Sequence, residues 1–365
     1  MRGIRHLAEH LDISIGTVSR ALNGRPDVNP ETRKRVLEAA EALGYVPNQS
    51  GRALRQGTTN AVGFMIELNP ETASTDPFFL GVFDGVQSVL QRHGLDLIIL
   101  PCPTSEDPLP YLQRFVARRA VDAMILSATQ RIDPRIEMLQ RAGLPFITLG
   151  RSSSGKDYAW IDLDFEGVVN SAIDRLVAGG HRRIAMTLPL NEINLGYVCH
   201  NAYRAALKRH RIPYDGDLIV RAGWSDQGGY DVADRLTQLP EPPTAVLLVY
   251  EMMAIGLYRR LQELGIVPGR DLAVVAFQDR ANIRMLSPPL NAFHLSLHDL
   301  GVGVGEAVLA QMPAFAETYP QGLVQKRWPL TLIEGTTNAF IAPTRAARAA
   351  SRPAQPAAVA VSRPR

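Results

Sequence analysis

Apolar residues along this chain follow two patterns, one before and one after about residue 57. At the N-terminus, Ile4, Leu7, Ala8 and Leu11 recur at i, i+3, i+4 and i+7, the spacing of one helix face. Asp12-Ile13 breaks that spacing, and Ser14 follows as a hydroxyl suited to capping the next helix. That helix, Ile15 to Leu22, turns Val18 and Leu22 inward and leaves Ile15, Gly16, Thr17, Ser19 and Arg20 outward. Asn23-Gly24 ends it. A third helix begins with Asn29 as cap and Pro30 at its first position. It carries Val36, Ala40 and Leu43 on one face and stops at Gly44.

From Thr58 onward, short β-branched runs alternate with amphipathic stretches. Strands are expected at Ala61–Ile66, Leu95–Leu100, Ala123–Ser127 and Phe146–Leu149, then near Ile184–Leu188, Leu218–Ala222, Ala245–Val249 and Leu272–Phe277. Helices are expected at Phe78–Arg92, Leu109–Arg118, Pro134–Ala142, Phe165–Gly179, Leu195–His210, Gln227–Leu239 and Glu251–Leu264. Two series of strand–helix units imply two doubly wound parallel sheets, whose ligands bind at the carboxyl ends of the strands. The expected fold is therefore an all-α helix-turn-helix headpiece joined to an α/β body of two lobes.

Charge sharpens the first half of this picture. Residues 1–57 hold nine Arg/Lys against six Asp/Glu, and residues 338–365 hold five Arg and no acid, which leaves the body net negative. A basic start on an acidic body points to a polyanion partner at the N-terminal end alone. The Ala/Pro/Arg/Ser tail cannot build a core and reads as disordered, its charge incidental. Two cysteines, Cys102 and Cys199, supply no disulfide framework. The N-terminus lacks the apolar core of a secretory signal, and no run reaches the length of a membrane span. These features lead us to expect a cytoplasmic chain with no membrane partner.

The wording of the headpiece is more specific than its periodicity, which any three-helix bundle could show. Ile13-Ser14-Ile15-Gly16-Thr17-Val18-Ser19-Arg20-Ala21-Leu22-Asn23 closely resembles the recognition segment of LacI-family repressors. Val28-Asn29-Pro30-Glu31-Thr32-Arg33 and Leu43-Gly44-Tyr45-Val46-Pro47-Asn48 resemble that family's third helix and its exit. Gly51-Arg52-Ala53-Leu54-Arg55-Gln56-Gly57 resembles its hinge helix, and the likeness runs on to about residue 335. The resemblance implies a body of the periplasmic-binding-protein type I fold and a homodimer on a roughly palindromic double-stranded operator. Its domains would be a helix-turn-helix at 1–50, a hinge at 51–57, an effector-binding and dimerisation body at 58–337 and a tail at 338–365. Ile15 and Gly16 would discriminate operators, and Arg20 would read guanine with two hydrogen bonds. Ser14, Thr17, Ser19, Asn23 and Asn29 would lie along the DNA, with Leu54 wedged into the minor groove beside Arg55. Glycine offers no side chain to a base edge, so readout at this pair of positions leans on Ile15.

The same resemblance supplies an effector site for a small molecule, with a sugar or glycoside as its expected class. Asp76-Pro77-Phe78-Phe79 matches a ligand-bordering segment, in which Asp76 would accept from hydroxyls and Phe79 supply an apolar face; capping by Asp76 with core phenylalanines fits equally. Asp162 belongs to a cleft-edge segment, and Trp224 stands where family members place an aromatic against the sugar ring. Elsewhere the chain departs from the pattern. The family's Arg-x-x-Gly-aromatic reads Cys199-His200-Asn201-Ala202-Tyr203, its Asn-Asp-x-Met-Ala-x-Gly reads Tyr250-Glu251-Met252-Met253-Ala254-Ile255-Gly256, and its aspartate after Phe277 is Gln278. These changes predict an aromatic-rich cleft of Tyr197, Tyr250, Trp224 and Phe79, suited to a disaccharide or glycoside but also to a nucleobase or aromatic acid.

Catalytic motifs are missing from the same stretch. There is no G-x-x-x-x-G-K-[ST], H-E-x-x-H or G-x-S-x-G, and the eight histidines and two cysteines lack metal-ligand spacing. Gly301-Val302-Gly303-Val304-Gly305 falls in a helix-like segment with no strand before it, so close helix packing is the expectation there. No enzyme, metal or cofactor is implied. A solute-binding transport protein would share the body's fold but not the headpiece. A corepressor-dependent regulator with a non-sugar ligand fits as well as an induced one.

Overall fold

In the computed structural model the described residues are 3–22, 24–45, 58–68, 78–320 and 322–337. The expected hinge at 51–57, the tail at 338–365 and the candidates Asn23, Leu54, Arg55 and Asp76 lie outside them. The chain divides into two compact units between Asn60 and Ala61.

The first unit is three helices: α1 (Ile4–Leu11), α2 (Ile15–Leu22) and α3 (Pro30–Ala42). Asp12 ends α1 in the left-handed region at φ 54°, which lets the chain turn sharply into α2. Leu7, Ala8, Val18, Ala21, Val28, Val36 and Ala40 form the core. Ala21, rather than Leu22, shares the inner face of α2 with Val18, and Leu22 is half-buried at the edge. A small residue at that place lets α2 lie close to its neighbours.

The second unit holds two six-stranded sheets. In lobe 1 the order is β11-β5-β4-β3-β1-β2, all parallel. Its strands are β1 (Ala61–Leu68), β2 (Asp96–Pro103), β3 (Ala123–Leu126), β4 (Phe146–Leu149), β5 (Ala159–Leu163) and β11 (Gln325–Trp328). In lobe 2 the order is β12-β10-β9-β8-β6-β7, parallel except for the β10–β12 pair. Here the strands are β6 (Ile184–Pro189), β7 (Ile219–Ala222), β8 (Ala245–Leu248), β9 (Ala273–Ala276), β10 (Asn291–His294) and β12 (Thr331–Ile333). Central strands such as β3, β4, β8 and β9 are buried at every position because helices cover both faces.

Lobe 1 is covered by α4 (Phe78–Gln91), α5 (Pro108–Ala117), α6 (Pro134–Ala142) and, from late in the chain, α11 (Leu297–Gln311). Lobe 2 takes α7 (Phe165–Ala178), α8 (Asn194–Arg209), α9 (Asp226–Thr237) and α10 (Met253–Glu263). The chain thus crosses between lobes three times, after β5, β10 and β11. The glycine run lies in α11, where it allows backbone-to-backbone packing on α4. A Cβ on Gly301 would sit 2.2 Å from the Val82 carbonyl oxygen, and one on Gly85 would sit 2.1 Å from that of His298.

Candidate functional site

Two surfaces carry candidate chemistry, one in each unit. On the headpiece, the first turn of α2 is fixed by Ser14, whose Oγ accepts from the Thr17 N–H at 3.0 Å and lies 2.9 Å from Thr17 Oγ1. Ile15 is 41% exposed, and Gly16 and Arg20 are exposed beside it. Thr17 and Ser19 are half-buried. Arg20 faces Asp27 across 3.9 Å with both side chains mostly in solvent, a pair too loose to hold the guanidinium in place. Asn29 caps α3 by accepting from the Glu31 N–H at 2.8 Å. Its amide nitrogen keeps two donors.

The second surface is a cavity of about 420 Å³ between the lobes, lined at the carboxyl ends of strands from both sheets. Parallel sheets bind ligands there because the strand-end loops converge. From lobe 1 come Glu67 at the end of β1, the 127–129 loop after β3, Arg151 after β4, and Asp162 on β5. A buried fork holds the 127–133 loop from behind. Arg135 donates to both Asp133 oxygens, at 3.0 and 2.7 Å, and to the Ser127 and Ala128 carbonyls at 3.1 Å. Gly150 has φ +108°, and Thr129 Oγ1 lies 2.7 Å from where its Cβ would stand, so this turn accepts only glycine. Arg151 follows it, with Nε 2.9 Å from Asp162 Oδ2 and Nη2 2.5 Å from Glu166 Oε2. Its carbonyl accepts from Thr129 Oγ1 of lobe 1 and from Asn194 Nδ2 of lobe 2.

Asp162 is 5% exposed. Burial pushes its carboxyl up to about 7, with the Arg151 charge pulling down and Glu166 pushing up. Burial raises Glu67 as well, against the Arg135 charge and a hydrogen bond from Asn191 of lobe 2 at 3.4 Å.

From lobe 2 come Trp224 after β7, Tyr250 after β8, and Gln278 and Arg280 after β9. Trp224 and Tyr250 stack face to face, with ring centres 5.2 Å apart and planes at 14°. The α9 cap holds Trp224 in place, since Ser225 Oγ accepts from the Gly228 N–H at 3.1 Å. Trp224 Nε1 is buried and has no hydrogen-bond partner among the described residues. Arg280 Nε lies 2.9 Å from Glu251, which is fully buried, and 3.2 Å from Gln278 Oε1. Its guanidinium also sits 5.3 Å above the Phe78 ring of lobe 1, so Arg280 spans the two lobes.

Of the residues expected at the cleft, Phe79, Asp162, Trp224, Tyr250 and Gln278 lie on this cavity. Tyr197 does not: its hydroxyl bonds Glu192 and its ring lies under Arg131 at 4.8 Å. It lies in the first turn of α8, where Asn194 and Gly196 take the buried positions. Cys199 stands where the family pattern has an arginine, yet Arg151 and Arg280 bring two guanidinium groups to the cavity from other positions. Their one signal in the sequence is position, just past a strand's carboxyl end.

Residues 4–48 match the bacterial regulatory proteins of the lacI family, and residues 173–337 match the periplasmic binding protein-like domain. The HTH-type transcriptional regulator AglR of Rhizobium meliloti (strain 1021) is 32% identical over 336 residues, covering 90% of this chain and 92% of that protein. A solved transcriptional regulator CelR–cellobiose complex superimposes with a TM-score of 0.68 at 25% identity, over 92% of this chain and 100% of its own. The Lac repressor dimer bound to operator and the anti-inducer ONPF gives 0.79 at 21% identity, over 92% and 98%, and supports the fold.

Proposed function

This chain belongs to the LacI family of bacterial regulatory proteins, and from that premise we propose that it is a transcription repressor whose grip on an operator is set by a small molecule held between its lobes. One conjunction carries the reading: a capped helix-turn-helix with an exposed first turn on α2, in the same chain as a cavity at the strand ends of two sheets.

In this reading α2 lies in the major groove, with Ile15, Gly16 and Arg20 at base edges and Ser14, Thr17, Ser19, Asn23 and Asn29 along the backbone. Leu54 and Arg55, outside the described residues, take the minor groove. The cavity binds the effector through Phe79, Asp162, Trp224, Tyr250 and Gln278, and Asp76, outside the described residues, is assigned to the same ligand. A glycoside is the favoured class, supported by the stacked indole and phenol rings and by the relative of similar fold that holds cellobiose. Two copies bind a roughly palindromic site, in the cytoplasm, with no catalytic step. Exposed apolar residues on each lobe, Leu80 at 68% and Met285 at 87%, suit a face covered by a second copy.

The test is binding of the purified full-length protein to operator fragments selected from random DNA, followed by fluorescence anisotropy with and without candidate glycosides. Specific binding that a glycoside weakens is the expected result. No selected sequence at any salt or ligand concentration would overturn the reading; binding that a ligand strengthens would replace induction with corepression.

A further inference from the structure

A strap beside the cavity joins the two lobes. Residues 129–131 follow β3 of lobe 1, and residues 191–197 lead from β6 into α8 of lobe 2. Gln130 and Ile193 form an antiparallel bridge across the gap. The Asn194 N–H donates to the Thr129 carbonyl at 2.8 Å, and Asn194 Nδ2 donates to the Arg151 carbonyl at 2.8 Å. Outside these, Asn191 Nδ2 reaches Glu67 at 3.4 Å, and the Arg131 guanidinium lies over the Tyr197 ring. Thr129, Ile193 and Asn194 are buried, so water does not compete for the central bonds.

α8 brings no cap of its own to this place. Ile193 stands at its N-cap and makes no side-chain hydrogen bond there. By contrast α5, α6, α7, α9 and α11 start on Asp107, Asp133, Asp164, Ser225 and Ser296, whose side chains accept from their own first turns. The first N–H groups of a helix find no partner inside it, and isoleucine is among the poorest residues for supplying one. Here a carbonyl of the opposite lobe supplies it. The two halves of the strap also differ in support. Asp133 accepts from the Gln130 N–H at 3.1 Å and is itself gripped by Arg135, whereas Leu190, Asn191 and Glu192 on the other side are exposed.

We propose that the start of α8 is a latch on the cleft: lobe 1 caps the helix when the lobes come together, and Asn194 is the positioning residue that sets what fraction of the protein holds a formed effector site. This rests on the reading of the cavity as that site and names its regulation. The bonds run between protein atoms, so the latch favours closure by itself. Separating the lobes removes the cap from α8, which makes the order of its first turn and the closure of the cleft one event. Arg151 carries the coupling inward, with its carbonyl on the strap and its guanidinium against Asp162 in the cavity. The chain crosses between lobes after β5, β10 and β11, and the strap follows β3 and β6, two strands from β5 and three from β10. Contacts set away from the crossings resist opening with leverage. A weaker latch lowers the apparent affinity for the effector in proportion to the fraction closed.

Hydrogen exchange of the full-length protein, with no ligand added, tests the proposal. In wild type the segments 127–133 and 191–197 are expected to be protected and to open together. Asn194→Ala removes the side-chain bond between the lobes and is expected to speed exchange about fivefold in both segments. Arg131→Ala changes an exposed residue that the fold tolerates, and is expected to give a smaller acceleration in the same two segments. Residues opposite each other in an antiparallel pair stand roughly 4.5–5.5 Å apart at Cα, within the span of a disulfide. Gln130→Cys with Ile193→Cys therefore makes a lock, and the native Cys102 and Cys199 are buried away from it. Oxidised, the lock is expected to return the Asn194→Ala protein to wild-type exchange, and reduction to undo that. Faster exchange confined to 191–197 is fraying of α8 alone and overturns the proposal. So do an unprotected strap in wild type, exchange unchanged by Asn194→Ala, and a lock without effect. Operator anisotropy on wild type reports on the repressor reading separately, since neither DNA nor effector enters the exchange measurement.

Discussion

Asp162 sits in the wall of lobe 1 with its carboxyl near 7, well above the ordinary carboxylate range, because burial outweighs the attraction of Arg151. The folded chain thus keeps a proton there that the unfolded chain releases by about pH 4. A raised folded-state pKa stabilises the fold fully below the unfolded value, and that contribution fades as pH climbs through the folded one. Wild type is therefore expected to lose thermal stability relative to Asp162→Asn as pH rises from 5 to 8. Melting curves of both proteins across that range check it, and a constant difference counts against it. On the headpiece, Ile15 and Gly16 stand exposed on the first turn of α2 and are the pair to exchange for operator choice. Substituting them is expected to change which operator is preferred by about 1–3 kcal/mol per altered base pair while leaving nonspecific, salt-sensitive binding nearly unchanged. A panel of operator variants titrated at two salt concentrations reads both. Residues such as Trp224 and Asp162 were legible in the sequence because each lies in a recognisable local setting. Arg151 and Arg280 were not, since what makes them cleft residues is Asp162, Glu166 and Glu251 arriving from other elements.

At the scale of elements, the strongly periodic pieces read correctly from spacing and caps. α2 spans Ile15–Leu22 as expected, and β4 and α6 also coincide with their expected bounds. What sequence left unread was the late part of the body. β10, β11 and β12 are three or four residues each, and β11, Gln-Lys-Arg-Trp, is exposed at three of four positions. It has no apolar rhythm because it pairs at the edge of lobe 1 beside β5. The α4–α11 contact was legible as a glycine run, although its partner was not. Gly85→Ala places a methyl carbon 2.1 Å from a backbone oxygen, so the two helices must separate. It is expected to destabilise the body by about 1–3 kcal/mol or more. Ser14→Ala removes one cap from the headpiece, at about 1 kcal/mol. Denaturant unfolding of each variant, followed by hydrogen exchange to locate the loosened unit, distinguishes the two.

Across the whole molecule, the cleft's walls belong to both sheets, and Asn194, Asn191 and Arg280 already bridge them. A ligand that fills the cavity adds contacts to both lobes at once. At 100 times its dissociation constant it stabilises the folded body by about 2.7 kcal/mol, which corresponds to several degrees in melting temperature. Hydrogen exchange with a saturating disaccharide is expected to show slower exchange near the carboxyl ends of β4, β7 and β8 together. Protection confined to one lobe contradicts a ligand held between the two.

The three crossings of the chain also govern how the protein comes into being. Lobe 1 begins at Ala61, yet the helix that covers its α4 starts only at Leu297, and its edge strand only at Gln325. A ribosome therefore finishes most of lobe 2 while lobe 1 still has the glycine face of α4 uncovered. Effector sensing is therefore expected only once α11 and β11 have been made, because until then lobe 1 lacks both the cover of α4 and its edge strand. A premature stop anywhere before α11 costs the cleft as surely as one placed at Arg151.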